Sequence, residues 1–325
     1  MNEIKNDINY IKTNFKKPFK KLSCALNTNP VIIFMISPKL AGRSTYIGYL
    51  TDLFPDKFKV IAVGDIVRNW QERIKNEKKE VKKDLKEIFG DDKNKAFKEL
   101  SFSDVKNLVS NETIIKLIKI EILHSDKTHS IIMDGFPRSQ GQLVWTTKLA
   151  KEISKSYKPM VIGIFTHDSI LDQRFDSRLI CPKCQKSGSM LTLVNGLPKY
   201  DKNSHQFYLE CYNCGSKMEK KKTDTSLEDM SKRRIEDKKL AVALLNNFNK
   251  QGFFATEIIT GIETKSFSGK DTELNPAYSL KVNKKGKVIK SKGVQIGIEK
   301  DGSGVYSFHP KKIVGDIISI ISNEI

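Results

Sequence analysis

The sequence predicts an α/β protein built on a parallel sheet with helices on both faces, and three observations predict it. Five short apolar runs, at 31–36, 59–63, 131–134, 160–165 and 256–260, alternate with stretches whose apolar residues recur at helical spacing. The first run leads into a glycine-containing loop and then a helix, which is the context a phosphate-binding loop needs. Between the fourth and fifth runs, four cysteines stand as two Cys-x-x-Cys pairs, the mark of a metal-bound unit.

The chain has 325 residues, ample for a buried core, and no apolar stretch approaches a membrane span. The run at 31–36 is too short and too late for a secretory signal. A cytoplasmic protein without membrane association is expected. Net charge is +19, from 57 basic and 38 acidic residues. That surplus invites nucleic acid or phosphate-rich ligands, although the lysines are spread along the chain in the manner of solvated faces. Cys24, the fifth cysteine, reads as an inert thiol.

In chain order, residues 1–30 are polar and lysine-rich, with a short helix expected over 8–19 before Asn27, Thr28, Asn29 and Pro30 break the chain. The β-branched run at 31–36 reads as a strand buried on both faces. A helix to about Leu53 and a strand at 59–63 follow. Residues 70–89, dense in Lys and Glu with Ile74, Val81, Leu85 and Ile88 as apolar points, predict one helix. Asn111 is a candidate cap for a helix over 112–123. The run at 131–133 ends in Asp134, and Gly135 and Pro137 then force a sharp turn before Arg138. Helices are expected over 142–155, 170–178, 229–249 and 310–322. Alternating apolar residues and two glycine turns predict a hairpin or meander inserted at 265–308.

Three constellations carry chemistry. Ser37…Gly42-Arg43-Ser44 follows the frame of a phosphate loop, with serine at the first glycine and arginine at the lysine. Arg43 keeps the charge but is planar and bulkier, and the Ser44 hydroxyl stands where this motif binds magnesium. Cys181, Cys184, Cys211 and Cys214 offer four thiolates that suit tetrahedral, structural zinc, the other reading being a reducible disulfide pair. Arg68, Arg138, Arg174, Arg178 and Arg233 follow strand ends or flank the cysteine segment, as a site for several phosphates requires.

Asp134-Gly135-Phe136-Pro137-Arg138 followed by Gln142, together with Gly64-Asp65-Ile66-Val67-Arg68 and Arg174…Arg178 before the cysteines, resembles the adenylate kinases. The resemblance covers roughly 31–264 and 309–325 with the motifs in family order. It implies a P-loop NTPase-type three-layer fold with a central five-stranded parallel sheet, a helical subdomain that binds the nucleoside monophosphate, and a zinc-binding lid. The implied domains are an extension at 1–30, a core from 31–68, 128–174, 229–264 and 309–325, an enlarged monophosphate-binding subdomain at 69–127, a lid at 175–228 and the insertion at 265–308.

The implied activity is transfer of the ATP γ-phosphoryl to AMP with magnesium. Lys39, Leu40, Ala41, Gly42, Arg43, Ser44 and Thr45 would wrap the ATP phosphates, and Arg174 would stack on the ATP base. Arg68 and Arg138 would hold the AMP phosphate; Gln142 would read its adenine with the Gly135 backbone, and Val63 and Gly64 would line that site. Asp134 would hold magnesium through water, while Arg178 and Arg233 would clamp phosphates as the lid closes. Lys222 stands where the family has arginine, Asp224 where it has aspartate, and Thr225 where it has a second aspartate. A monomer is expected. Departures at Ser37, Leu40, Arg43, Val63, Lys222 and Thr225 support a second expectation. This is a weakly active or inactive descendant that binds nucleotide and, through its basic insertions, an RNA or protein partner.

Overall fold

The computed structural model describes residues 2–101, 109–220 and 226–325, so Lys222, Asp224 and Thr225 lie outside the described residues. Helices α1 (Asn2–Asn14) and α2 (Lys16–Ala25) lead into strand β1 (Val31–Ile36) and helix α3 (Arg43–Leu53). Strand β2 (Phe58–Ala62) is followed by α4 (Val63–Asn76), α5 (Lys78–Phe89), α6 (Lys93–Ser101) and α7 (Asn111–Leu123). Next come β3 (Ser130–Asp134), α8 (Gln140–Ile153), β4 (Lys158–Phe165) and α9 (Asp168–Ser177). The cysteine segment pairs β5 (Arg178–Ile180) with β6 (Ser187–Ser189), and β7 (Gly196–Asp201) with β8 (Gln206–Cys211). Helix α10 (Leu227–Lys250) returns to the core and strand β9 (Phe254–Ile259). Strands β10 (Gly261–Glu263), β11 (Pro276–Val282), β12 (Val288–Val294), β13 (Ile296–Ile298) and β14 (Gly304–Ser307) precede the last helix, α11 (Pro310–Glu324).

The central sheet is parallel and five-stranded, in the order β2-β3-β1-β4-β9. Every residue of β1 is buried, as its central place demands. Successive side chains of a strand point to opposite faces. Ile32, Phe34 and Ile36 accordingly enter a core with α4, α7, α8 and α10, while Val31, Ile33 and Met35 enter a second core with α1, α2, α3 and α11. The result is three layers. Among the described residues no helix is long and apolar enough to cross a membrane.

Four local expectations are corrected. The helix expected over 70–89 is two helices, because Glu77 leaves helical geometry at φ −130°, ψ 44°. The break folds α5 back, so that Val81 and Leu85 join Trp70 and Ile74 in one core; a straight helix rising about 1.5 Å per residue would carry them away from it. Asn111 does not cap α7. Ser110 does, accepting from the Thr113 N–H, which frees the Asn111 amide for another partner. The polar N-terminal arm holds two helices that break at Phe15, within the single helix expected over 8–19, and Ile11, Leu22 and Leu26 are fully buried beside α11. The hairpin or meander expected over 265–308 is two units, because the apolar alternation through Val294, Ile296 and Ile298 is interrupted between β12 and β13. Gln295 is buried and its N–H donates to the Asn275 carbonyl, which divides a β11–β12 hairpin from a second sheet ordered β10-β14-β13.

The hairpin does not stand free. The Tyr278 N–H donates to the Leu191 carbonyl at 2.8 Å, and Tyr278 and Leu280 pack on a small core of Cys181, Leu193, Leu209, Cys211 and Met218.

His309 ties the ends of the chain together. It caps α11, with Nδ1 accepting from the Lys311 N–H, and faces Asp7 of α1, Lys311 and Lys292. Burial lowers its pKa from 6.5 to about 4. The unfolded chain therefore binds the extra proton between those values, so this contribution is full above pH 6.5 and is lost as pH falls toward 4. Urea unfolding at pH 7.5 and 4.5 should show wild type losing about 2.5 kcal/mol more than His309→Asn, which keeps a cap without titrating. Equal losses in the two proteins would remove this assignment.

Candidate functional site

In a parallel sheet the ligand site lies beyond the carboxyl ends of the strands. Strands β1 and β3 are neighbours in register, with Met35 opposite Asp134, so the loop leaving β1 faces the turn leaving β3. The β1 loop holds two residues at positive φ, Leu40 at 74° and Gly42 at 96°. Gly42 is needed there twice over, since a Cβ would also lie 2.9 Å from the Tyr46 ring. Leu40 takes the same left-handed region against its own steric preference. Helix α3 then starts at Arg43 directly after the loop, with the Thr45 N–H closing on the Gly42 carbonyl at 2.9 Å, so that a helix N-terminus follows the loop as in a phosphate site. Ser44 and Thr45 are exposed on that first turn, and Ser37 is buried at the loop's start.

Arg43 reaches across to β3. Its Nε donates to Asp134 Oδ1 at 2.5 Å and its Nη1 to Ser37 Oγ at 3.4 Å. Arg138 folds back over its own turn, with Nε donating to the Gly135 carbonyl at 2.8 Å. Both guanidinium groups crowd Gly135, where a Cβ would lie 2.8 Å from Arg43 Nη2 and 3.3 Å from Arg138 Nη2. Gly64 is approached in the same way by Arg68 at 3.2 Å and Arg138 at 3.7 Å. Arg68 itself pairs with Asp65 one turn back. Burial, together with the charges of Arg43, Arg233 and Arg68, lowers the Arg138 pKa, against the opposing pull of Asp134. Arg43, Arg68, Arg138 and Arg233 thus share one basin, whose positive surplus is suited to several phosphates.

Gln142 is buried on the first turn of α8. Its Oε1 accepts from the Arg138 N–H at 2.7 Å, and its Nε2 donates to Asn111 Oδ1 at 2.8 Å. Val63 lies in the core cluster with Ile61 and Ile66. Arg174 is bonded to the Leu40 carbonyl of the loop and to Ser307, and Arg178 lies on β5, donating to Ser187.

Asp237 belongs to this site and was missed in the sequence. Its carboxylate accepts from the Lys39 N–H at 3.1 Å, and burial raises its pKa against the pull of Arg233 and Arg43. The available signal was spacing, since Asp237 follows Arg233 by four residues on α10 and shares its face. The adjacent Arg234 faces inward, fully buried and paired with Asp172. Among the described residues its Nε and Nη2 have no hydrogen-bond partner.

In the cysteine segment, Cys181 and Cys214 Sγ are 3.3 Å apart, Cys184 and Cys211 3.6 Å, and Cys184 and Cys214 3.9 Å. All four sulfurs lie within 4.8 Å of one another and none is in a disulfide. Tetrahedral coordination at roughly 2.3 Å per bond would set sulfurs about 3.8 Å apart, so the set fits a four-thiolate metal ion. His205 is exposed and adds no fifth ligand.

No protein-family model matches the chain. Curated relatives do. The chain is 27% identical to an adenylate kinase of Lactobacillus johnsonii over 158 residues, covering 48% of this chain and 67% of that protein. It is 27% identical to one of Thermotoga petrophila over 169 residues, 52% of this chain and 66% of the relative. With an adenylate kinase of Methanosarcina acetivorans the identity is 26% over 225 residues, 69% of this chain and 89% of the relative. The chain thus spans about two thirds of the length of the first two relatives and more of the third.

Proposed function

We propose that this chain, a distant relative of the adenylate kinases, is a phosphotransferase that moves the γ-phosphoryl of ATP to AMP and forms two ADP. The observation that carries the reading is the basin of Arg43, Arg68, Arg138 and Arg233, set between a phosphate loop and the Asp134 turn. Phosphoryl transfer asks mainly for positioning and charge neutralisation. The acceptor is already an anionic phosphate, so no general base is required.

In this reading the α3 N–H groups and Arg43 hold the donor phosphates. Arg68 and Arg138 orient the acceptor phosphate, with Gly64 and Gly135 leaving room for their guanidinium groups. Gln142, held by Arg138 and Asn111, offers an amide edge to an adenine. Arg178 and Arg233 would close on the phosphates with the cysteine subdomain, and closure would exclude water. Lys222 and Asp224 belong to the same proposed closing segment. Magnesium, held by Ser44 and through water by Asp134, would neutralise charge on the β- and γ-phosphates. Zinc on Cys181, Cys184, Cys211 and Cys214 would be structural.

A coupled assay of purified protein with ATP, AMP and magnesium tests the proposal, and absence of ADP formation would sink it. A second reading, nucleotide binding with little turnover, is favoured by the 2.5 Å Arg43–Asp134 pair, which engages the acid that magnesium needs. Arg43→Lys separates the two. Because a lysine cannot reach Ser37 and Asp134 together, a loop built around arginine should lose roughly tenfold in kcat. A rise in kcat would instead mark Arg43 as an inhibitory latch.

A further inference from the structure

Arg174, on the last turn of α9, joins three parts of the molecule. Its Nη1 donates to the Leu40 carbonyl at 3.0 Å and its Nη2 to Ser307 Oγ at 3.2 Å. The Tyr46 hydroxyl lies beside both the Arg174 guanidinium and the Thr260 side chain, which act on it electrostatically. Leu40 is the phosphate-loop residue held at φ 74° without being glycine. Gly42, the loop's other left-handed residue, lies against the ring of the same Tyr46. One guanidinium and one phenol therefore brace both special positions of the loop.

Ser307 comes from the segment between β9 and α11, not from the central sheet. It is fully buried on β14, with its N–H donating to the Gln295 carbonyl at 3.1 Å and its carbonyl accepting from the Asn275 N–H at 2.7 Å. The same small sheet grips α9 beside Arg174. Gln173 Nε2 donates to the Ile296 carbonyl at 2.6 Å, and Gln295 Nε2 donates to Gln173 Oε1 at 3.2 Å. The Ser307 backbone is thus fixed in place by bonds on both sides, which sets where its side chain meets Arg174.

We propose that Ser307 is a positioning residue of the triphosphate-binding site: the inserted sheet, through Ser307, holds Arg174 on the Leu40 carbonyl and so shapes the phosphate loop. The inference rests on the kinase reading, deepens its donor side and makes the insertion part of the nucleotide site. Without the Ser307 oxygen, Nη2 loses its acceptor. The guanidinium then turns to find another, and Leu40 is released from a conformation that leucine does not hold unaided.

The test is calorimetric titration of ATP with magnesium and, separately, of AMP. Ser307→Ala should weaken ATP about tenfold, the size of a lost hydrogen bond to a charged group, and leave AMP unchanged. Tyr46→Phe, which removes the phenol from the same guanidinium, should weaken ATP in the same direction. In an Arg174→Met background, Ser307→Ala should add little, since the two residues act as one unit. Unchanged ATP affinity in Ser307→Ala overturns the inference, as does equal loss for ATP and AMP, or full additivity with Arg174→Met. The two levels fail separately. A wild type that binds ATP but yields no ADP removes the kinase reading, and the ATP comparison still decides the role of Ser307. A wild type that turns over normally beside an unaffected Ser307→Ala removes this inference alone.

Discussion

On the proposed reaction, Arg138→Met should lower kcat/KM for AMP about a thousandfold and leave ATP affinity within a few-fold, the expected cost of removing one charge-stabilising donor from a phosphoryl-transfer site. The same substitution should leave the protein without nucleotide at least as stable as wild type, because it removes one of four crowded positive charges. Both halves follow from one arrangement. Arg138 reaches solvent yet lies beside Arg43, Arg233 and Arg68, with Asp134 as a compensating charge, so the basin carries charge repulsion that a bound phosphate would relieve. Its Nε is committed to the Gly135 carbonyl, which leaves the outer nitrogens to meet the ligand. Arg138→Lys keeps the charge but cannot keep both contacts, and belongs with methionine in activity. Steady-state kinetics paired with urea unfolding checks the two halves together. A methionine variant that is both active and destabilised would show that Arg138 serves the fold and not the site.

If the four cysteines hold a structural metal ion as proposed, removing it should unfold the cysteine segment and carry the inserted hairpin with it. Among the described residues the local buried core is Cys181, Leu193, Leu209, Cys211 and Met218, two of which belong to the proposed ligand set. So small a core does not stand without a staple, and a four-thiolate ion contributes roughly 10–16 kcal/mol to folding in isolated metal-binding peptides. Elemental analysis should find one bound ion per chain. Chelation, or Cys211→Ser, should abolish hydrogen-exchange protection over 178–220 and, on the proposed reaction, reduce turnover below about one per cent, because the cysteine segment could then not close over the phosphates and exclude water. Protection over 276–294 should fall as well, since Tyr278 and Leu280 pack on that core and the Tyr278 N–H bonds Leu191. The central sheet should keep its protection, because its two cores share no residue with the cysteine cluster. Unchanged exchange at 178–220 after complete metal loss would dismiss the structural role.

Much of the site could be read along the chain because its signals are local. A β-branched run, a glycine at a loop's left-handed position and a four-residue cysteine knuckle each depend on neighbours a few bonds away. Asp134, Gly135, Arg138 and Gln142 stand within one turn and one helix start, so their proximity was legible. Their partners were not. Asn111 meets Gln142 from α7, and Asp237 meets Lys39 from α10, across long separations that no periodicity encodes. The break at Glu77 was hidden for a related reason. The local sequence favours helix throughout, and only the need to bring Val81 and Leu85 back to one core bends it.

The sequence by itself determined the α/β class, the five parallel strands and the grouping of the cysteines, since hydrophobic period and ligand spacing are properties of short segments. Tertiary structure alone decided where the long cationic side chains end. Arg43 crosses to Asp134, Arg174 braces Leu40 under Ser307, and Arg234, beside Arg233 in sequence, is buried on Asp172. A guanidinium on a flexible stem takes its place from the acceptors that packing brings within reach, and those come from β3, β14 and α9, elements that lie far from it in the chain.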